Sequence, residues 1–297
     1  MAIRYLTELD FEHRRCDRVA PLIRRVIARN PSPFTFHGTG TYIVGEGEVA
    51  VIDPGPALAD HVQALLAAVA GERVTHILVT HTHLDHSPAT ALLKSATGAP
   101  SYGFGPHGGR SDAAQVEEGA DHDFRPDHVI GDGAVIAGSG WTIEAVHTPG
   151  HTSNHLCFAL REQAALFTGD HVMGWSTTVV SPPDGDMRAY RASLEKLLAR
   201  ADAVYWPTHG PAIPGPKGFV RSLIQHRHER EAAISRCLEQ GIDRIPAMVA
   251  VIYEAVDRRL HGAAQRSVLA HLIDMIASGK AACDGAPTVA SVFRPLR

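Results

Sequence analysis

The stretch Thr80–Thr90, THTHLDHSPAT, constrains this chain more than any other. His81, His83, Asp85 and His86 fall within six positions, directly behind the apolar run Ile77-Leu78-Val79. Side chains two apart on an extended chain face the same side, so His81 and His83 point at one place as the strand ends. Ser87-Pro88 has the form of a helix start, with Ser as N-cap and Pro at the first helical position. Asp85 and His86 then sit on a tight turn between strand and helix. From there they can point back over the strand's end, where α/β folds form their sites. A single loop histidine is usually just solvated. Four ligand-type residues in so short a turn argue for a built centre. Imidazole nitrogen with carboxylate oxygen suits one or two Zn²⁺ ions.

The chain has 19 histidines, and many sit in three further segments, HTPGHTSNH, TGDH and PTHG. His151 follows an expected strand WTIEAV, Asp170 ends LFTG, and His209 follows VYWPT. Each terminates a strand, and a sheet whose strands end on one rim would gather them there. A carboxylate such as Asp170 can bridge two ions through its two oxygens. Two metals about 3.5–4 Å apart hold a water, lower its pKa and place it as a nucleophile.

The rest of the pattern is layered α/β. FTFHGTGTYIVG and VAVID are expected as strands over 34–53, joined by a Gly-rich turn. Leu58, Val62, Leu65, Leu66 and Val69 form one helical face, and VTHILVT is a short buried strand. From 129 to 169 strands dominate, with HLCFAL and AALFTGD as a hairpin around REQ. Helices are expected over 186–199 and from Lys217 to Glu239. Gly241 ends the second of these. Two amphipathic helices and a short strand, TVASVF, then suggest a helix–turn–helix unit with a wing. The aperiodic stretch 105–127 is expected as a surface loop.

Length suggests about two domains. A net charge of −4 argues against nucleic-acid binding by bulk charge. The N-terminus, broken by charges, lacks the apolar core of a signal peptide, and no uncharged apolar run spans a bilayer. The four cysteines are scattered with no CxxC pair, so neither a zinc knuckle nor a disulfide framework is signalled. The expected setting is reduced and cytoplasmic.

In order and spacing, HTHLDH, TPGH, TGD and PTHG resemble the metallo-β-lactamase superfamily over about residues 34–215. The resemblance implies an α/β fold, a four-layer αββα sandwich. It implies His81, His83 and His151 as ligands of one metal and Asp85, His86 and His209 of a second. Asp170 is implied as the bridge, and Asp53 in IDPG and Thr80 as residues behind the ligands. TYIVGEGEVAVIDPG, WSTTVVSPPDGDM, PTHGP, HRHERE and the winged tail resemble the lactamase-β-2-like branch. That branch holds a single-strand ribonuclease, carrier-protein thioesterases and many uncharacterised hydrolases. The chain departs from it at GTGT, where Asn is common before the Tyr, and at Pro88-Ala89; neither touches a ligand. The organisation implied is a catalytic domain over 1–215, a linking helix over 216–240 and a small helical winged-helix-like domain over 241–297.

The expected function is dinuclear zinc-dependent hydrolysis by a metal-bound hydroxide, with Mn²⁺ or Fe²⁺ also suited to the ligands. Asp85 is expected to be catalytic, accepting a hydrogen bond from the nucleophile. An ester or thioester is the first substrate and single-stranded RNA the alternative. A β-lactam is third, because the bridging Asp170 resembles the thioesterase and nuclease type. A ligand-sensing DNA-binding protein is the reading from another class. Its winged tail, with seven Arg/Lys and five Asp/Glu over 241–297, lacks a basic stripe. His147 and His155 are expected to orient ligands. His171, Trp175 and His226 are candidate substrate contacts. The HRHERE run is expected to be a solvated face with salt bridges around Glu229, Arg230 and Glu231.

Overall fold

The computed structural model describes residues 3–108 and 119–296. A first sheet runs in chain order through β1 (Cys16–Ala20), β2 (Ile23–Ile27), β3 (Gly40–Glu46), β4 (Glu48–Ile52), β5 (Arg73–Leu78), β6 (Ser101–Gly103) and β7 (His128–Val129). A second holds β8 (Val135–Gly138), β9 (Trp141–His147), β10 (Leu156–Leu160), β11 (Ala165–Gly169), β12 (Val204–Pro207) and β13 (Ile213–Pro214). Helices α1 (Ala59–Ala68) and α2 (Ala89–Thr97) follow β4 and β5, while α3 (Met187–Ala199) and α4 (Lys217–Glu239) belong to the second half.

Side-chain alternation explains why the sheets stack. In β10, Leu156, Phe158 and Leu160 face the core between the sheets, with Tyr42 and Val44 of β3 opposite. Cys157 and Ala159 face the other way, against Tyr190, Leu194 and Leu197 of α3. In β3, Ile43 turns outward to Leu65 of α1 and Leu93 of α2. Both sheets are therefore apolar on both faces and covered by helices. The result is the four-layer αββα sandwich.

Chain direction sets where the strands end. β4 and β5 are parallel, as are β11 and β12. β9 and β11 each pair antiparallel with β10, so they too point the same way. The two rims are tied together where the Leu156 N–H donates to Thr80 O (2.7 Å) and the Gly40 N–H to Thr208 O (2.8 Å).

The tail is α5 (Ile245–Ile252), α6 (His261–Ala277) and a two-stranded wing of β14 (Ala281–Cys283) and β15 (Phe293–Pro295). Its core is not its own. Ile234, Cys237 and Leu238 of α4 are buried with Met248, Val249, Leu272 and Phe293. Ala270 of α6 joins the core under α3. Arg188 and Arg191 of α3 also pair with Asp274 of α6, and Lys280 with Glu231 of α4. No helix among the described residues is long and apolar enough to cross a membrane.

Three local expectations are corrected. Phe34–His37 form a turn rather than the start of a strand. The Ser32 hydroxyl accepts the N–H groups of Phe34 and Thr35, and Phe36 takes φ 57°, which a strand does not allow. Ser87 does not cap α2, because its hydroxyl donates to Asp121 at 2.6 Å. Tyr253 and Val256 lie beyond the end of α5. Of the loop expected over 105–127, residues 109–118 lie outside the described residues.

Exposed ion pairs each contribute under about 1 kcal/mol, whereas burying a leucine-sized side chain contributes about 1.5–3 kcal/mol. The tail is therefore held chiefly by the apolar face of α4. Removing residues 242–297 should lower the melting temperature or cause aggregation, although every candidate ligand remains. A melting curve unchanged by the truncation would show instead that the tail is an independent appendage.

Candidate metal centre

Asp53 follows β4, the turn 81–86 follows β5, and His151 lies between β9 and β10. Asp170 follows β11 and His209 follows β12. The rims thus bring together all seven residues singled out in the sequence, and all are buried. One donor atom from each of His81, His83, His151 and Asp170 lies within 4.8 Å of the others, and likewise for Asp85, His86 and His209. Asp170 stands between the groups. Its Oδ2 is 3.5 Å from His86 Nε2 and 3.9 Å from His151 Nε2, and its Oδ1 is 3.4 Å from His209 Nε2. Gly169 permits this placement. It takes φ 50°, and a Cβ there would lie 2.6 Å from His155 Nε2.

Four of the five histidines are oriented from behind by their other ring nitrogen. His86 Nδ1–H donates to Asp53 Oδ2 (2.9 Å) and His151 Nδ1–H to Val179 O (2.8 Å). His209 Nδ1–H donates to Gly38 O (3.2 Å) and His81 Nδ1–H to Thr80 Oγ1 (3.0 Å). In each ring Nε2 is left facing the cluster. His83 uses the other atom, its Nδ1 lying 3.2 Å from His151 Nε2. Asp85 accepts a hydrogen bond from Thr39 Oγ1 (3.2 Å) and lies 3.0 Å from His209 Nε2.

The donor set fits divalent cations. His81 Nε2, His86 Nε2 and Asp170 Oδ1 are buried with no hydrogen-bond partner, an arrangement proteins avoid unless something else is bound. Electrostatics agree. Burial alone would depress His86 and His209, but the facing carboxylates outweigh it. Asp85 and Asp170 raise His86 well above its ordinary range, and Asp170 and Asp85 raise His209 to about 10. Burial likewise would raise Asp85 and Asp170, and the same histidines hold both carboxyls below theirs. The carboxylates call for positive charge, which protons on imidazole supply here and cations can supply in their place.

The neighbours sort by burial. His155 donates from Nδ1 to Thr148 Oγ1 (2.9 Å), and its Nε2 accepts the Asp170 N–H (3.3 Å). It therefore orients the backbone of Asp170. His147 stacks on Phe104 at 4.1 Å and lies at the edge. His171 is fully buried between the rings of His155 and Tyr190 and is not among the described residues lining the cavity. Trp175 and His226 do line it, together with His83, Asp85, Asp170 and His209. The cavity volume is about 300 Å³.

HRHERE departs from expectation. Among the described residues Glu231 pairs with Arg191 and Lys280, and Glu229 accepts from Gln225. Arg227 is instead buried and lines the cavity with Arg230, because α6 covers this face of α4. Sequence reasoning also missed Thr39, Thr208, Tyr5 and Phe34. A signal existed for Arg227, which falls on the same helical stripe as Val220 and Leu223.

Residues 35–209 match the metallo-beta-lactamase superfamily, and residues 245–287 match the beta-lactamase associated winged helix domain. The chain is 36% identical over 233 residues to an atrochrysone carboxyl ACP thioesterase of Paecilomyces divaricatus, covering 77% of this chain and 67% of that one. It is 30% identical over 232 residues to the beta-lactamase-like protein 2 homolog of Caenorhabditis elegans, covering 75% and 73%. A metallo-beta-lactamase family protein from Thermus thermophilus shares the fold. Its TM-score is 0.76 at 20% identity, over 94% of this chain and 100% of that one.

Elemental analysis of metal-loaded protein should find about two ions per chain, as a two-metal site requires. Asp170→Ala should lose one of them and most activity, with circular dichroism unchanged. Retention of both ions and of full turnover by Asp170→Ala would overturn the bridging geometry.

Proposed function

We propose a substrate and a mechanism from one premise: the chain belongs to the metallo-β-lactamase superfamily and is a hydrolase. The substrate is a small thioester. The observation that carries this reading is the name borne by the relatives at 36% and 35% identity, both carboxyl ACP thioesterases. The cavity supports it. Its walls carry apolar groups suited to an acyl chain, among them Phe34, Met173, Trp175 and Leu260.

His81, His83 and His151 would hold one divalent ion and Asp85, His86 and His209 another, with Asp170 standing between the two groups. When bound, such ions supply Lewis acidity toward the carbonyl oxygen and lower the pKa of water; zinc fits the ligands, as do Mn²⁺ and Fe²⁺. The remaining work falls to the chain's own residues. Asp85 faces the cavity and takes the proton of the attacking water as its oxygen bonds to the carbonyl carbon. The C–S bond then breaks, Asp85 returns its proton to the leaving sulfur, and the thiol departs toward the cavity mouth. His151 and His209, fixed by backbone carbonyls, do not rotate as charge develops, so little reorganisation is needed.

Zinc-loaded protein assayed against acyl N-acetylcysteamine thioesters, an aryl ester, a bis-phosphodiester and single-stranded RNA tests this. Thioester turnover should lead, vanish on chelation and return with Zn²⁺. Cleavage of RNA with the thioesters left intact would overturn the substrate assignment.

A further inference from the structure

The cavity has a second polar feature, built from residues other than the candidate metal ligands. Arg227 is 2% exposed, and its only hydrogen bond among the described residues runs from Nη2 to Thr178 O. Its guanidinium lies 5.0 Å from the centre of the Tyr190 ring. No carboxylate pairs with it or with Arg230 among the described residues. Arg230 spends its Nε–H on His226 Nε2 (3.1 Å) and an Nη1–H on Ile252 O (3.2 Å), over the Tyr253 ring. A buried charge without a counter-ion is costly, so such groups are ordinarily paired.

Three buried nitrogens on cavity-lining residues also lack any partner: Arg227 Nε, His226 Nδ1 and Trp175 Nε1. All three are donors. The indole and guanidinium nitrogens can only donate. His226 Nε2 accepts from Arg230, which leaves the proton of the neutral ring on Nδ1. Burial, then Arg227 and Arg230, depress this imidazole to about 3, so it stays neutral. Arg227, His226 and Trp175, each with an unsatisfied donor, and the guanidinium of Arg230 border one cavity, and no acidic side chain among the described residues answers them. The acids that line the same cavity, Asp85 and Asp170, are already committed to His86 and His209.

We propose that this wall, built from Arg227, His226 and Trp175 with Arg230 behind, binds an oxyanionic group of the substrate that takes no part in the bond cleaved. The proposal rests on the hydrolase reading and narrows its substrate to a molecule with a reactive carbonyl at one end and a carboxylate or phosphate at a fixed distance. Two positions suit the anion: a carboxylate on the acyl portion, or a phosphate on the leaving group. Arg227 is a positioning residue on this view. It also donates to Thr178 O, next to the Val179 carbonyl that orients His151, so anion binding and ligand orientation meet on one segment.

The test is calorimetric binding to the full-length, metal-loaded protein. Three unreactive probes are used: the monobutylamide of glutaric acid, butyl phosphate, and neutral N-butylbutyramide. At least one anion should bind about tenfold or more tightly than the neutral amide, as charge-assisted hydrogen bonds predict. The first two probes separate carboxylate from phosphate. Arg227→Met should abolish the preference, and Arg227→Lys should restore part of it. If Arg227→Met does not fold, Trp175→Phe keeps an aromatic ring, removes one donor and should weaken the anion alone. Equal binding of all three probes by the unaltered protein would overturn the proposal. So would a preference that survives Arg227→Met, which would assign the anion to the metals. Turnover of a neutral thioester is measured separately, so its failure sinks the reaction while the binding data still decide the anion wall.

Discussion

The carboxylate of Asp53 is the contact on which the site depends. It is fully buried, and its Oδ1 accepts the Thr80 N–H at 2.8 Å. Its Oδ2 accepts from Thr80 Oγ1 (2.8 Å), His86 Nδ1 (2.9 Å) and Thr208 Oγ1 (2.9 Å). One side chain thereby fastens the ends of β4, β5 and β12 and the turn that carries His86. Its backbone sits at φ 50°, a conformation that costs a non-glycine residue on the order of 1–3 kcal/mol and persists only where its surroundings fix it. A buried carboxylate short of partners would be still more costly. The rim is therefore an interlocked unit, with strand ends, acid and imidazole each requiring the others.

Around that unit, two sets of elements contribute different things. The sheet rims supply the candidate metal ligands on short loops, and main-chain hydrogen bonds at Thr80 and Thr208 tie the two rims together. The helices α4 and α6 and the turn after α5 supply the far wall of the cavity, through Arg227, Ala263 and Tyr253. The winged tail is thus part of the enclosure around the chemistry. Its core is completed by α4, and its charge is nearly balanced.

Much of this was legible in the sequence. Ligand-type residues at the ends of apolar runs identify the rim, because burial forces strand ends to carry whatever the site needs. Element order showed layered α/β packing, and the four-layer αββα sandwich was implied by the family resemblance. The partners that aim His151 and His209 were not legible, since the carbonyls of Val179 and Gly38 carry no side-chain signature. Strands β1 and β2 were missed because Asp17 and Arg18 in the first, and Arg24 and Arg25 in the second, interrupt the apolar pattern. Arg24 is tied to Glu72 at 2.6 Å, and Arg25 is 4% exposed. HRHERE misled for the opposite reason. A charged run is normally a solvated face, and only the packing of α6 on α4 reveals that Arg227 points inward.

The central claim is that seven side chains, three of them aimed from behind by Asp53 or a backbone carbonyl, form one centre for two ions. Anomalous diffraction at the zinc edge from crystals of zinc-loaded protein tests it most directly. The account predicts two peaks about 3.5–4 Å apart. One should sit among His81, His83 and His151 and the other among Asp85, His86 and His209, each about 2.0–2.2 Å from an oxygen of Asp170. A single peak at full zinc loading, or a second peak beyond the reach of Asp170, would contradict it.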